Sequence, residues 1–287
     1  MFTLMRLYWE LIRRHWVVAA LVATAFTIIL GEAFWFGKLP QRLAYLGAVA
    51  LSVVVLDLIN YRQSDPGSPP PLPVRRPGLE LAIAVGCLVI SFCFLLGHFS
   101  SATIHSTSPA VILFRLAGGL LALNVPIALI DLLVLRYRPW NLGYRCTRRS
   151  VMATPIILVF FFSFAYLSET SFTLRQAVSE QGSIGGTILA AVFLAAVPEE
   201  FFRMTWQTRF GAFSGNTAAA WFLTASLWVF MHLPNFHAGY TSWAPATIAC
   251  FNMIPLGLLW GYVLHRTRSV VPSMILHCLN FSGLQNY

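Results

Sequence analysis

The sequence predicts an all-α, polytopic transmembrane bundle of about eight or nine helices. Three observations carry that expectation. Hydrophobic residues make up 57% of the 287-residue chain and charged residues only 10%, with a mean hydropathy of +0.70; ordinary soluble domains are nearer a quarter charged. Apolar runs recur at a length that crosses a hydrocarbon core, which takes about 20 residues. The basic residues stand at the ends of those runs, as a bilayer orients a chain.

The runs fall at roughly 16–37, 44–61, 79–99, 110–135, 151–170, 184–208, 217–235, 246–265 and 269–285. Arg6, Arg13 and Arg14 precede the first, in the manner of a signal peptide. Its apolar stretch exceeds the 7–15 residues of a signal core, so a retained first helix is expected. With the N-terminus in the cytoplasm, Arg62, Arg75, Arg76, Arg136, Arg138, Arg145, Arg148, Arg149, Arg209, Arg266 and Arg268 lie on the cytosolic side. Only Lys38, Arg42 and Arg175 then lie outside. This bias accounts for a net charge of +9 without nucleic acid as a partner.

Two breaks divide the chain. The stretch 64-SDPGSPPPLPVRRPG-78 is a linker whose prolines cannot continue a helix. It follows a two-helix hairpin over residues 1–63. The basic loop 138-RPWNLGYRCTRRS-150 closes an accessory segment, 79–150, before a C-terminal unit, 151–287. The five cysteines form no CxxC pair and no framework spacing, so neither a disulfide scaffold nor a zinc ribbon is expected.

An ionisable group inside a spanning helix costs a few kcal/mol and needs a reason. Glu32, Asp57, Arg115 and Asp131 are scattered through the first half, where snorkelling or helix-to-helix ion pairing accounts for them. The second half gathers its polar residues on three successive helices. The first carries Glu199, Glu200 and Arg203; Glu199 and Arg203 share a face at i,i+4, and Glu200 and Arg203 are i,i+3 neighbours. Adjacent carboxylates repel, which suits one to proton transfer while an arginine holds the other ionised. The second carries His232 before a helix-breaking Pro234, with His237 in the loop beyond. The third carries His277 and Asn280 at i,i+3, a proton carrier or donor beside an amide. Taken singly, each group is also what a helix-end ion pair, a carbonyl-bonded histidine or helix-packing polar contacts would supply. Together they suit hydrolysis: a carboxylate takes a proton from water, a second group orients it, and His and Asn donors stabilise an oxyanion. No HExxH motif is present, and no serine or cysteine has a clear base beside it.

The order Glu-Glu-…-Arg, aromatic-x-x-x-His and His-…-Asn resembles the CaaX protease and bacteriocin-processing family of intramembrane glutamic proteases. The resemblance covers about residues 150–285. It rests on 199-EEFFR-203, on 228-WVFMHLPNF-236 with Trp228 at the family's Phe position, and on 260-WGYVLHRTRSVVPSMILHCLNF-281. Two spacings depart from the family's EExxxR and HxxxN: here they are EExxR and HxxN. One residue rotates a helical side chain by about 100°, so either glutamate is open as the base. The resemblance implies a Glu and His232 activating water, His277 and Asn280 forming the oxyanion site, and Arg203 orienting the glutamates. It also implies proteolysis of a membrane-anchored protein or peptide within the lipid bilayer. It calls for no cofactor, although Glu and His are also zinc ligands.

A non-catalytic partner or immunity protein on the same scaffold and a proton-coupled transporter are the competing readings. By these spans Glu199 lies about 15 Å from the cytosolic end of its helix, with His277 similar. His232 comes out deeper, which calls for a tilted or re-entrant helix. The site is expected to open towards the cytosol through a polar cavity.

Overall fold

The computed structural model describes residues 2–63, 72–98, 124–165, 175, 178–179, 182–240 and 242–281. Arg115, the 100–109 loop, most of the Pro-rich linker and the first part of the 110–135 run lie outside them. Among the described residues every regular element is helical, as a bilayer demands of an open chain whose backbone groups must be satisfied internally.

The elements are α1 (Phe2–Arg14), α2 (Trp16–Trp35), α3 (Leu39–Gln63), α4 (Pro77–His98), α5 (Val125–Leu129) running into a π-turn (Ile130–Val134), and α6 (Arg148–Ala165). Then come α7 (Ile184–Ala190), a second π-turn (Ala191–Ala196), α8 (Val197–Ser214), α9 (Thr217–Met231), α10 (Leu233–Tyr240), α11 (Trp243–Phe251), α12 (Ile254–Thr267) and α13 (Val271–Phe281). Among the described residues, four helical stretches are long and apolar enough to cross a membrane: Trp16–Trp35, Leu39–Ile59, Ile184–Ser214 and Trp243–Thr267. The chain is an integral membrane protein. Large apolar side chains such as Leu133, Val151, Val159, Phe193 and Leu194 face outward, where a bilayer replaces water as the solvent.

The α8–α9 hairpin sets the depth of the polar groups. Gly215 takes a left-handed conformation, φ 67°, that ends α8. Asn216 then caps α9, its side chain accepting from the Ala219 amide at 3.0 Å. The helix thus continues past Arg209 to Ser214, beyond the expected end of the span at 208. Glu199 lies 15 residues before Ser214 and His232 lies 15 residues after Thr217. Both therefore stand about 22 Å from the turn, and the mismatch in depth expected from the sequence disappears. The next helix is short: α9 ends at Met231, and α10 restarts with Pro234, which has no N–H to donate. His237, expected in a loop, belongs to α10 and stacks on Trp243 at 3.8 Å.

Helix α12 packs against this hairpin through Gly257 and Gly261. A Cβ on Gly257 would meet the Trp228 ring at 3.0 Å, and one on Gly261 would meet Gln207 Oε1 at 2.8 Å and Trp221 Cδ1 at 2.9 Å. Small residues one turn apart let backbones approach closely. Side chains of α8 use that approach, with Arg203 Nη1 donating to the Gly257 carbonyl at 3.3 Å and Gln207 Nε2 to that of Gly261 at 3.0 Å.

The ionisable residues of the first half pair across the bundle, with partners in the second. Glu32 accepts from Asn252 Nδ2 at 2.8 Å, at the break between α11 and α12. Asp57 accepts from Tyr8 and Tyr262, at 2.6 and 2.7 Å, and forms an ion pair with Arg266 at 2.8 Å. Arg209, placed by the sequence in a cytosolic loop, is instead buried, at 3.0 Å from both Glu80 and Asp131. Glu80 also accepts from the amides of Arg75 and Arg76 at the start of α4 and from the Tyr137 hydroxyl at 2.8 Å. That is the reach-back of a capping glutamate.

Replacing Arg209 by Met leaves two buried carboxylates uncompensated and should cost about 3–5 kcal/mol; thermal unfolding in detergent should show the loss, with partial recovery when Glu80→Gln and Asp131→Asn are added. Gly261→Ala overpacks the α8–α12 seam and should cost about 1–3 kcal/mol by the same assay.

Candidate active site

The carboxylates stand just past an irregularity. Residues Ala191–Ala196 form a π-turn, and Pro198 opens α8. A proline cannot donate to the carbonyl four residues back and its ring crowds that carbonyl. The wider turn relieves the conflict and adds a residue to the helical register; such insertions are frequent at functional sites. Asn124 Nδ2 binds the Pro198 carbonyl at 3.1 Å from outside the helix.

The two glutamates then part company. Glu200 is fully buried, and Arg203 Nε meets its two oxygens at 3.3 and 3.2 Å. The ion pair is thus the i,i+3 one. The shared face expected for Glu199 and Arg203 does not yield their pairing, because the Arg203 guanidinium carbon stands over both Trp228 and Trp260, 4.7 and 5.3 Å from the ring centres. A guanidinium over two indole rings gains cation–π attraction and is held in the direction of Glu200.

Glu199 faces the other way, towards the two histidines. Its Oε2 lies 3.3 Å from His277 Nε2 and 3.7 Å from His232 Nε2, and it accepts from the Trp228 indole N–H. His277 Nδ1 meets Glu200 Oε1 at 3.3 Å, so this ring bridges both carboxylates. His232 Nδ1 lies 2.9 Å from the Trp228 carbonyl, which accepts its proton; Nε2 is left as the nitrogen turned to Glu199.

Exposure separates the members. The side chains of Glu199 and His232 are 24% and 25% exposed, whereas Glu200 and Arg203 are at 0% and His277 at 5%. One carboxylate and one imidazole are thus partly exposed, 3.7 Å apart, beyond direct hydrogen bonding and close enough for a bridging water. Asn280 is carried by α13 three residues after His277 and is partly exposed. Among the described residues no three of His, Cys, Asp and Glu are grouped to hold a metal ion.

Two aromatic residues complete the cluster. Trp228 sits edge-on to both histidines, at 4.9 Å from His232 and 6.1 Å from His277. Trp260 stacks on His277 at 4.3 Å with 21° between planes. Trp228 is visible in the sequence as the aromatic residue four before His232. Trp260 carries no such signal beyond standing in a helix of the same unit.

No curated protein and no solved structure matches the chain. A protein-family model does match, that of the type II CAAX prenyl endopeptidase, Rce1-like, over residues 182–281. The matched segment contains every carboxylate, histidine and arginine of the cluster, and that C-terminal part of this membrane protein is similar to the CAAX protease family.

Proposed function

We propose that the protein is an intramembrane endopeptidase that hydrolyses a peptide bond of a membrane-associated protein or peptide, with Glu199 as the base. The observation that carries this reading is the gap between Glu199 and His232, the two partly exposed members of an otherwise buried cluster. A water there accepts orientation from His232 Nε2 and gives a proton to the Glu199 carboxylate as its oxygen attacks the peptide carbonyl carbon. The carbonyl oxygen becomes an oxyanion, for which His277 and Asn280 are the donors implied by the family pattern. Collapse of the adduct breaks the C–N bond, and Glu199 returns the proton to the leaving amine. Glu200 and Arg203 take no proton in this scheme. Their buried ion pair holds His277 by its Nδ1 and fixes the field in which Glu199 works.

Arginine asymmetry supports a cytosolic position for the ends of the bundle that carry residues 135–147 and 266–270. The α8–α9 turn is at the same end, so Glu199 and His232 lie about 22 Å from that boundary. An apolar stretch of substrate in the bilayer would present its bond at that depth.

The test is cleavage of membrane-anchored peptides by the purified protein and its variants. Glu199→Gln and His232→Ala should each lower kcat by about 10²–10⁴-fold with little change in unfolding temperature. Glu200→Gln leaves Arg203 buried without its partner and should lose activity together with about 3–5 kcal/mol of stability. Full activity in all three variants would overturn the proposal in favour of a non-catalytic role. Asn280→Ala should lower kcat by about 10²–10³-fold if its amide serves the oxyanion, with KM little changed.

A further inference from the structure

Helix α1 is set apart from the spans that follow it. Its junction with α2 is His15, whose backbone, φ −120° and ψ 40°, departs from helical geometry. The reach of Tyr8 shows where α1 goes. Its hydroxyl donates to Asp57 Oδ2 at 2.6 Å, and Asp57 belongs to the last turns of α3. Helices α2 and α3 pack together across the short turn 36–38, which makes them an antiparallel pair. Asp57 comes 18 residues after Leu39, and Val17 comes 18 residues before Trp35, so the two stand level. A straight continuation of α2 would carry Tyr8 about 13 Å past that level, farther than the two side chains reach. Helix α1 therefore bends at His15 and lies across the end of the α2–α3 hairpin. Arg266 marks the same end through its ion pair with Asp57.

The sides of α1 differ in kind. Trp9, Ile12 and Trp16 recur at intervals of three and four residues, the spacing of one helix face, and they are 65%, 50% and 67% exposed. No side chain of the bundle covers that stripe. Arg13 and Arg14 are exposed as well. At 100° per residue, Arg13 flanks the stripe and Arg14 falls across the helix from it. Within residues 1–31 the sequence holds three arginines, Arg6, Arg13 and Arg14, against one acid, Glu10, so the segment carries a surplus of two positive charges.

The setting says what covers the stripe. Helix α1 runs directly into α2, an apolar span, so its exposed indoles stand at the mouth of a membrane crossing. An indole is apolar in its body and polar at its N–H, and it settles at headgroup level. A helix with an apolar stripe on one side and arginines on the other lies in that interface, its stripe at the acyl boundary. The arginines then stand among the headgroup phosphates, and their surplus charge favours an anionic leaflet over a zwitterionic one. A soluble partner would have to displace lipid from the same stripe.

We propose that α1 lies in the plane of the membrane surface and binds the anionic phospholipid headgroups of that leaflet through Arg13 and Arg14, with Trp9, Ile12 and Trp16 set into the acyl boundary. The inference is independent of the peptidase reading. Tyr8 fastens the helix to the bundle. Asp57 also accepts from Tyr262 of α12 at 2.7 Å, so α1, α3 and α12 meet on one carboxylate. A helix held by the leaflet on one side and by Asp57 on the other braces the end of α12, the helix that carries Trp260.

The experiment is hydrogen exchange of the α1 amides in the full chain, held in bilayer discs of phosphatidylcholine alone or of phosphatidylcholine with phosphatidylglycerol. Exchange should be roughly 10- to 30-fold slower with phosphatidylglycerol, and high salt should remove most of the difference. The double variant Arg13→Gln/Arg14→Gln should return the rate to that seen in phosphatidylcholine. The control Arg136→Gln/Arg148→Gln makes the same change of charge at exposed positions elsewhere and should retain the protection. Equal rates in the two lipids would overturn the proposal, as would undiminished protection in the first double variant or an equal loss in the control. Equal protection in detergent without lipid would overturn it in favour of a helix held by the protein alone. Full protection by soluble glycerol phosphate would overturn the assignment to lipid. Should the first double variant fail to fold, the lipid and salt dependence of the wild type decides the matter.

Discussion

The buried pair of Glu200 and Arg203 is the interaction on which the rest of the polar cluster depends. Two opposite charges removed from water are tolerated only when geometry and further hydrogen bonds compensate the lost hydration. Here Arg203 is held by two indole faces and the Gly257 carbonyl, and Glu200 by Arg203 and His277. Each contact comes from a different helix: α8 supplies the pair, α9 Trp228, α12 Trp260 and Gly257, and α13 His277. Satisfying one ion pair therefore fixes the mutual placement of four helices. The same placement leaves Glu199 on the opposite side, facing His232.

Close packing makes this possible. Without Cβ atoms at Gly257 and Gly261, α12 can lie near enough for its main-chain carbonyls to accept from α8 side chains. In a bilayer, apolar burial between helices supplies little driving force, since lipid tails are as apolar as Leu. Tight van der Waals contact and such interhelical hydrogen bonds take its place. The accessory half adds polar clasps of the same kind, Arg209 to Glu80 and Asp131, Arg266 to Asp57, and Asn252 to Glu32. The scattered acids of the first half are thus the fastening of that half to the helices that carry the site.

Local irregularities do the final positioning. The π-turn before Pro198 precedes the two glutamates, and the proline after His232 ends α9 at the histidine. Each interrupts the helix next to a polar residue, which frees that residue from the register of the helix as a whole. The spacing EExxR, one residue shorter than the family pattern, is met by an i,i+3 pairing, so Arg203 needs no longer interval to reach a carboxylate.

The sequence by itself determined the all-helical membrane class, because the length and apolarity of a span are local properties that the bilayer reads directly. It also determined which residue types stand together, since Glu, Arg and His on successive apolar helices have few ways to avoid one another in hydrocarbon. Trp228 was legible from its spacing to His232. Tertiary structure alone decided that Arg203 pairs with Glu200, because the i,i+3 and i,i+4 positions are nearly equivalent on an isolated helix and only the two tryptophans choose between them. It decided that Glu199 and His232 lie at one depth, which follows from where Gly215 ends a helix. It decided the roles of Glu80, Arg209 and Trp260, whose partners lie 129, 78 or 17 residues away. Such contacts leave no periodic trace in the chain, because they are set by how helices pack and not by how any one of them forms.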